Sequence, residues 1–286
     1  MSAVPKAGKA TRVLVISPGA GSVTPEVEAR LHKAFADHTI VVFDPKEDLS
    51  EMMSPQARVV IAGGDGTVEF FVRKLADSQH PVGIISLGTF NNLARALGLP
   101  TDLDAAIEVA RNGNAKPITL GRVNDHIFVE ACAIGLFGET IALGDKAKDL
   151  GFGAITPQLR KVFSARRFKY ELSGDLKGNG YAMSLVFSNT STIGSQIPVG
   201  DSTPIQRTLE FSVDAGRTRA DIVLRWMRSA ILRQRTDDTA GQVFRFSRLE
   251  VKTTPKAKVY ADNFQVGRTP ATITAETSAL RVLLPR

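Results

Sequence analysis

A doubly wound parallel-sheet α/β domain followed by an antiparallel β-sandwich domain is the architecture this sequence predicts. Three observations predict it. From Arg12 to Arg111, short β-branched apolar runs alternate with helical patterns. After Gly121 that texture gives way to short alternating runs with few helical interruptions. Three of the early apolar runs end in glycine-bearing polar loops, the position where an open parallel sheet holds its ligand.

Arg12–Ser17 (RVLVIS) reads as the first buried strand. Pro18-Gly19-Ala20-Gly21-Ser22 follows, then a helix from Thr24 to Asp37, with Thr24 as cap and Pro25 in the first position. This loop is not a Walker A loop, because no Gly-Lys-Ser/Thr follows. It begins a dinucleotide fingerprint but lacks the third glycine. Thr39–Asp44 is the next strand, and Lys46–Met53 a short helix or loop. Val59–Ala62 is a strand that ends abruptly in Gly63-Gly64-Asp65-Gly66-Thr67. Val68, Phe71, Val72 and Leu75 then fall at helical spacing. Pro81–Ser86 is a fourth strand, Leu87–Asn92 a third polar loop, Leu93–Leu97 the start of a helix, and Thr101–Arg111 another helix.

The second half carries strand-like runs at His126–Ala133, Phe168–Leu172, Tyr181–Ser188, Thr208–Val213, Arg248–Thr253, Ala257–Ala261 and Leu280–Leu284. Two helical patches interrupt them. Ile141–Phe163 has a glycine-rich break at Gly151–Gly153. Arg219–Arg235 places Val223, Trp226, Met227, Ala230 and Ile231 on one face and carries five arginines. It reads as an amphipathic helix packed on a sheet with solvated arginines, or as a membrane-surface element. The predicted domains are 1–121 and 122–278, with 279–286 packing back on the first.

The stretch 63–67 concentrates the chemistry. Glycines permit positive φ and close approach to a ligand. Amides at a helix start lack helical acceptors and sit at the positive end of the macrodipole. Together they make a phosphate cradle. A carboxylate there repels phosphate unless it holds Mg²⁺ or accepts a proton, so Asp65 is the candidate for either task. The bland alternative is a tight turn whose Asp caps the helix.

Composition narrows the classes. The chain has 286 residues, ample for two domains, and 43% hydrophobic content, ordinary for a globular protein. A single cysteine, Cys132, excludes an internal disulfide; in its apolar run it reads as a buried hydrophobe. His32, His38, His80 and His126 lack metal-ligand spacing. Net charge is +7 and the pI about 9.6, which suits an anionic partner. The basic start lacks the apolar core of a signal peptide, and no run reaches transmembrane length. A cytoplasmic location with peripheral membrane contact is therefore expected. The basic residues are dispersed and not interleaved with aromatics, which argues against nucleic acid.

Gly63–Thr67 (GGDGT), with Gly88–Pro100 (GTFNNLARALGLP) about twenty residues on, resembles the diacylglycerol kinase catalytic family, which includes bacterial soluble lipid kinases and sphingosine and ceramide kinases. Ser17-Pro18-Gly19-Ala20-Gly21 resembles its Asn-Pro-x-Ser/Ala-Gly turn, with Ser17 in place of Asn. Phe128–Ala131 with Gly135-Leu136, and Gly267–Pro285, resemble later parts of it more loosely. The resemblance implies an ATP-binding first domain and a lipid-binding β-sandwich. It implies transfer of the γ-phosphoryl group from ATP, with Mg²⁺, to a hydroxyl of diacylglycerol or a related lipid. Asp65 would be base or metal partner. Ser17, Gly21, Gly63, Gly64, Gly66, Thr67, Gly88, Thr89, Asn91 and Asn92 would line the nucleotide site. The implied partners are ATP, a lipid acceptor, a peripheral membrane surface and a second copy in a homodimer.

Several acids of the family's pattern are replaced. Phe70 stands where a Glu is usual, Thr119 where an Asp precedes Leu120-Gly121, and Phe264 ends what is usually Asp-Gly-Glu. Ile205-Gln206-Arg207-Thr208 occupies the place of an Asp-Gly pair tied to a structural Mg²⁺. These departures support the alternative of a catalytically impaired nucleotide- or lipid-binding member. NAD kinase, which shares GGDGT, is a further alternative that the second loop disfavours.

Overall fold

The computed structural model describes residues 10–46, 53–139, 167–194, 197–214 and 243–286. The chain divides into two units, residues 1–118 with 278–286 and residues 119–277. The helical patches expected at Ile141–Phe163 and Arg219–Arg235, and most of Lys46–Met53, lie outside the described residues.

The first unit contains β1 (Ala10–Ile16), α1 (Pro25–Ala34), β2 (Thr39–Val42), β3 (Met53–Gly63), α2 (Asp65–Leu75), β4 (Pro81–Ser86), α3 (Asn92–Ala96), α4 (Leu103–Asn112) and the start of β5 (Asn114–Val123). Its sheet runs β2-β1-β3-β4, parallel throughout. The continuous apolar runs follow from that arrangement, because both faces are covered. Leu14, Ile16, Val60, Ala62 and Ile85 share one core with Leu31 and Phe35 of α1 and Ala106 and Ala110 of α4. Val13, Val15, Val59 and Ile61 alternate with these and are equally buried. Against the sheet α2 turns Val68, Phe71, Val72 and Leu75, the four residues whose spacing predicts it. Thr24 caps α1, its hydroxyl accepting Val27 N at 3.3 Å, and Asp102 caps α4, accepting Ala105 N at 2.9 Å.

The second unit holds β6 (His126–Phe128), β7 (Ala131–Gly135), β8 (Phe168–Gly174), β9 (Gly178–Ala182), β10 (Ser184–Ser188), β11 (Thr192–Ile193), β12 (Ile197–Pro198), β13 (Leu209–Asp214), β14 (Phe244–Phe246), β15 (Arg248–Thr254), β16 (Lys258–Ala261), β17 (Phe264–Arg268) and most of β18 (Ala271–Leu284). One antiparallel sheet runs β14-β13-β10-β7-β16-β17, and β18-β15-β8-β9 forms a second. Their inward residues, among them Phe187, Phe211, Leu185, Val251 and Ile273, share one core, as in a sandwich. The last residues of β18 belong to the first unit, where Arg281 and Val282 pair in parallel with Pro81 and Val82 of β4.

Two expected strands are each two strands. His126–Ala133 breaks at Val129-Glu130 because β6 pairs with β5 while β7 pairs with β10 and β16. Tyr181–Ser188 breaks at Met183, where the chain leaves β8 for the opposite sheet. A strand that changes sheets keeps its apolar alternation, so the pattern alone does not reveal the break. Among the described residues no helix is long and apolar enough to cross a membrane.

Candidate functional site

Three loops meet at the C-terminal ends of the parallel strands. The loop after β1 is joined to β3 by Ser17 N donating to Ala62 O at 2.9 Å. Its far end is tied to the loop after β4, Ser22 N donating to Leu87 O at 3.2 Å. Leu87 N in turn donates to Gly63 O at 2.8 Å. The loops after β1, β3 and β4 thus form one hydrogen-bonded edge.

The glycines serve close approach. None of Gly63, Gly64, Gly66 and Gly88 has a positive φ, so of the two freedoms a glycine offers this edge uses close approach alone. A Cβ on Gly88 would lie 2.8 Å from Gly64 Cα and 3.1 Å from Asp65 N. A Cβ on Gly63 would lie 2.9 Å from Thr67 Cβ and 3.1 Å from Ser17 Cβ. Gly66 differs: it is exposed, and a Cβ there would meet nothing within 4 Å. The residue that does take the left-handed region is Asn91, with φ 53°.

Asp65 opens α2, yet its carboxylate serves the neighbouring loop. Oδ2 accepts Asn91 N at 3.0 Å, and Oδ1 accepts Asn92 N at 2.9 Å. The turn reading, in which the Asp caps its own helix, is therefore corrected: no side chain caps α2, and Asp65 binds the amides that begin α3. The Asn91 side chain closes the same loop, Oδ1 accepting Gly88 N and Nδ2 donating to Gly88 O, both at 3.0 Å. Thr67, at 8% exposure, donates its hydroxyl to Ser17 Oγ at 3.0 Å.

This arrangement leaves donors without a helical acceptor at the strand ends. The first helical bond of α2 is Val68 N to Gly64 O, so the amides of Asp65, Gly66 and Thr67 have no acceptor within the helix. Ser17 Oγ accepts from Thr67 and keeps its own proton to donate. Each Asp65 oxygen keeps a lone pair beyond its amide bond. The edge therefore suits an anion approached by backbone amides, with one carboxylate beside it.

Ser17, Gly63, Gly64, Asp65, Thr67, Gly88, Asn91 and Asn92 are brought together by these contacts. Gly21 and Thr89 are exposed on the same loops, with open space around Gly21. Ser22 and Leu87 tie the loops through backbone atoms alone, which no residue type announces. Phe43 also reaches this edge, its N donating to Ile16 O at 2.8 Å.

The positions that replace acids lie apart in kind. Phe70 is half-buried on α2, and Thr119 is 3% exposed, with its O accepting Asn189 Nδ2 at 3.0 Å. Phe264 is 57% exposed at the start of β17. Two residues earlier, Asp262 is 5% exposed; its Oδ1 accepts Glu130 N at 2.8 Å and Ala131 N at 3.1 Å, and its Oδ2 accepts Val129 N at 3.0 Å. That carboxylate fills the break between β6 and β7. Cys132 is fully buried, and burial first, then the charge of Asp262, pushes its thiol well above the usual range. It is inert at neutral pH.

Residues 14–123 match the family model described as the diacylglycerol kinase catalytic domain. A diacylglycerol kinase of Bacillus subtilis (strain 168) is 40% identical over 84 residues, a stretch that spans 28% of this chain and 28% of that relative's length. A crystal structure titled as a diacylglycerol kinase from Bacillus anthracis str. Sterne superposes with a TM-score of 0.71 at 21% identity, covering 97% of this chain and 98% of that one. An NAD kinase from Archaeoglobus fulgidus in complex with ATP superposes with a TM-score of 0.55 at 16% identity, covering 96% and 93%. At these identities the two structures show a shared fold.

Proposed function

We propose, from the match of residues 14–123 to the diacylglycerol kinase catalytic-domain model, that the chain is an ATP-dependent lipid kinase. It transfers the γ-phosphoryl group of ATP to a hydroxyl of diacylglycerol or a related lipid. One observation carries this reading: Gly64 and Gly88 meet without side chains, and beside them the Gly66 and Thr67 amides, at the start of α2, have no acceptor within the helix. The site is shaped for a phosphate chain.

The geometry supports the following roles. The Gly66 and Thr67 amides and the Ser17 hydroxyl bind and orient phosphate oxygens. Asp65 holds the Gly88–Asn92 loop in place through Asn91 N and Asn92 N, and each of its oxygens keeps a lone pair for the reacting group or its metal ion. Among the described residues no cluster of three or more His, Cys, Asp or Glu side chains forms a metal cage. Magnesium ordinarily needs only one or two carboxylates beside substrate phosphates, so Asp65 would be the residue to hold it. When bound, the ion neutralises charge on the transferring group. The acceptor oxygen bonds to the γ-phosphorus, the bond to the bridging oxygen breaks, and ADP leaves. The hydroxyl proton passes to the Asp65 carboxylate.

A specific observation favours a second reading, binding with impaired catalysis. Asp262 is consumed by three backbone amides, and Phe264 follows it where an acid would be expected. One experiment separates the readings. Purified chain is given Mg²⁺-ATP and vesicles containing diacylglycerol or a sphingoid base, with NAD in a parallel reaction; nucleotide binding is measured independently. Phosphorylated lipid is expected, with Asp65→Asn slowing turnover by about 10²–10⁴-fold while still binding ATP. ATP bound without transfer supports the impaired member, and phosphorylated NAD overturns the lipid assignment.

A further inference from the structure

Phe43, Phe70 and Phe71 form a three-ring cluster that the phosphate chemistry leaves unused. The Phe43 and Phe70 centroids are 5.3 Å apart, Phe43 and Phe71 5.5 Å, and Phe70 and Phe71 5.2 Å, each pair edge to face. Phe71 is 3% exposed and anchors the group in the core, while Phe43 and Phe70 are half-buried. Lys74 Nζ lies 5.9 Å from the centre of Phe70 and steadies that ring. Phe71 is covered by the core, whereas Phe43 and Phe70 keep part of their rings accessible beside the ligand edge.

The strand order says what reaches them. The phosphate cradle sits at the ends of β3 and β4, and Phe43 at the end of β2, two strands from β3. Two strand spacings are roughly 10 Å. Between them the loop after β1 leaves open space at Gly19 and Gly21. On α2, Gly66 and Phe70 are four residues apart, hence on one face and one turn from each other. A phosphate chain laid on the Gly66 amide therefore continues along the strand ends toward Phe43 and Phe70.

We propose that Phe43 and Phe70 form the platform for the nucleotide's base, which the site reads through its π face and so discriminates weakly between adenine and guanine. This rests on the kinase reading above. Every purine presents a π face, and stacking carries little base identity. Asp44, the carboxylate next along the chain, is turned away to accept Lys46 N at 2.8 Å.

The test is calorimetric titration of the full chain with Mg²⁺-ATP, Mg²⁺-GTP and tripolyphosphate, for the wild type and for Phe43→Leu and Phe70→Leu. Leucine keeps apolar volume and removes the π face. ATP and GTP are expected to bind the wild type within about tenfold of each other. Each leucine variant is expected to weaken both nucleotides by roughly 5- to 100-fold and to leave tripolyphosphate unchanged. Nucleotide affinity unchanged in both variants overturns the platform, as does a purine preference above about a hundredfold. If neither nucleotides nor tripolyphosphate bind the wild type, the kinase reading itself falls, which is a different result from losing only the base contribution.

Discussion

Gly66 and Gly88 are indistinguishable by residue type, yet they have opposite surroundings. A methyl at Gly88 is forced against the Gly64 backbone, whereas one at Gly66 enters open space. Gly88→Ala should therefore cost about 1–3 kcal/mol of stability, read as a lower urea midpoint. Gly66→Ala lies in the first turn of α2 and should leave stability unchanged or raise it by up to about 1 kcal/mol. It should nonetheless weaken ATP binding, because the methyl occupies the phosphate's approach. A Gly66→Ala protein with full ATP affinity would move the phosphate away from this amide. Asp65 carries a parallel lesson. Its residue type suggested chemistry, and its partners add a second task, holding Asn91 in a left-handed conformation beside Gly88.

At the scale of elements, the turn between α1 and β2 makes the chain sensitive to acid. His38 Nδ1 lies 2.9 Å from Asp37 Oδ1, and its Nε2 is buried without a hydrogen-bond partner. Burial outweighs the Asp37 attraction and lowers the imidazole below its ordinary 6.5. The unfolded chain then binds the proton more readily than the folded one. The stabilising contribution is complete above pH 6.5 and declines as the pH falls toward the depressed folded value. The thermal midpoint should fall between pH 7.5 and 5.5, and His38→Gln should flatten that slope; an unchanged slope would place the acid sensitivity elsewhere. The Asp37 carboxyl is itself held well below its usual range by His38 first and Arg12 after it, so it stays charged throughout this window.

At the scale of the whole molecule, the chain's last nine residues belong with its first unit. Leu280, Val282, Leu283 and Leu284 are all at most 4% exposed, and the strand they form pairs with β4. Burying four such side chains contributes about 6–12 kcal/mol, comparable to the whole stability of a typical domain. Deleting residues 278–286 should therefore abolish cooperative unfolding of the first unit and with it ATP binding, measured by calorimetry and by titration. A truncated chain that still binds ATP normally would show that β4 tolerates an open edge.

Local order determines much of this protein. Apolar runs that lead into glycine-bearing loops, after Ile16, Ala62 and Ser86, are enough to announce parallel strands with loops at one edge, because strand period and turn chemistry act over a few residues. GGDGT, with Gly88–Pro100, carries the resemblance to the diacylglycerol kinase catalytic domain for the same reason, and residues 14–123 match that family's model. What only the tertiary structure decided involves partners far apart in sequence. Asp65 bonds to Asn91 and Asn92, and Gly64 meets Gly88, across more than twenty residues. Asp262 fills the gap at Val129–Ala131 across more than one hundred and thirty. The breaks at Val129-Glu130 and Met183 are invisible to alternation because both sheets face one core. Which face a residue shows is written in its neighbours along the chain; which atom it meets depends on strand order, and strand order is set by packing the whole sheet at once.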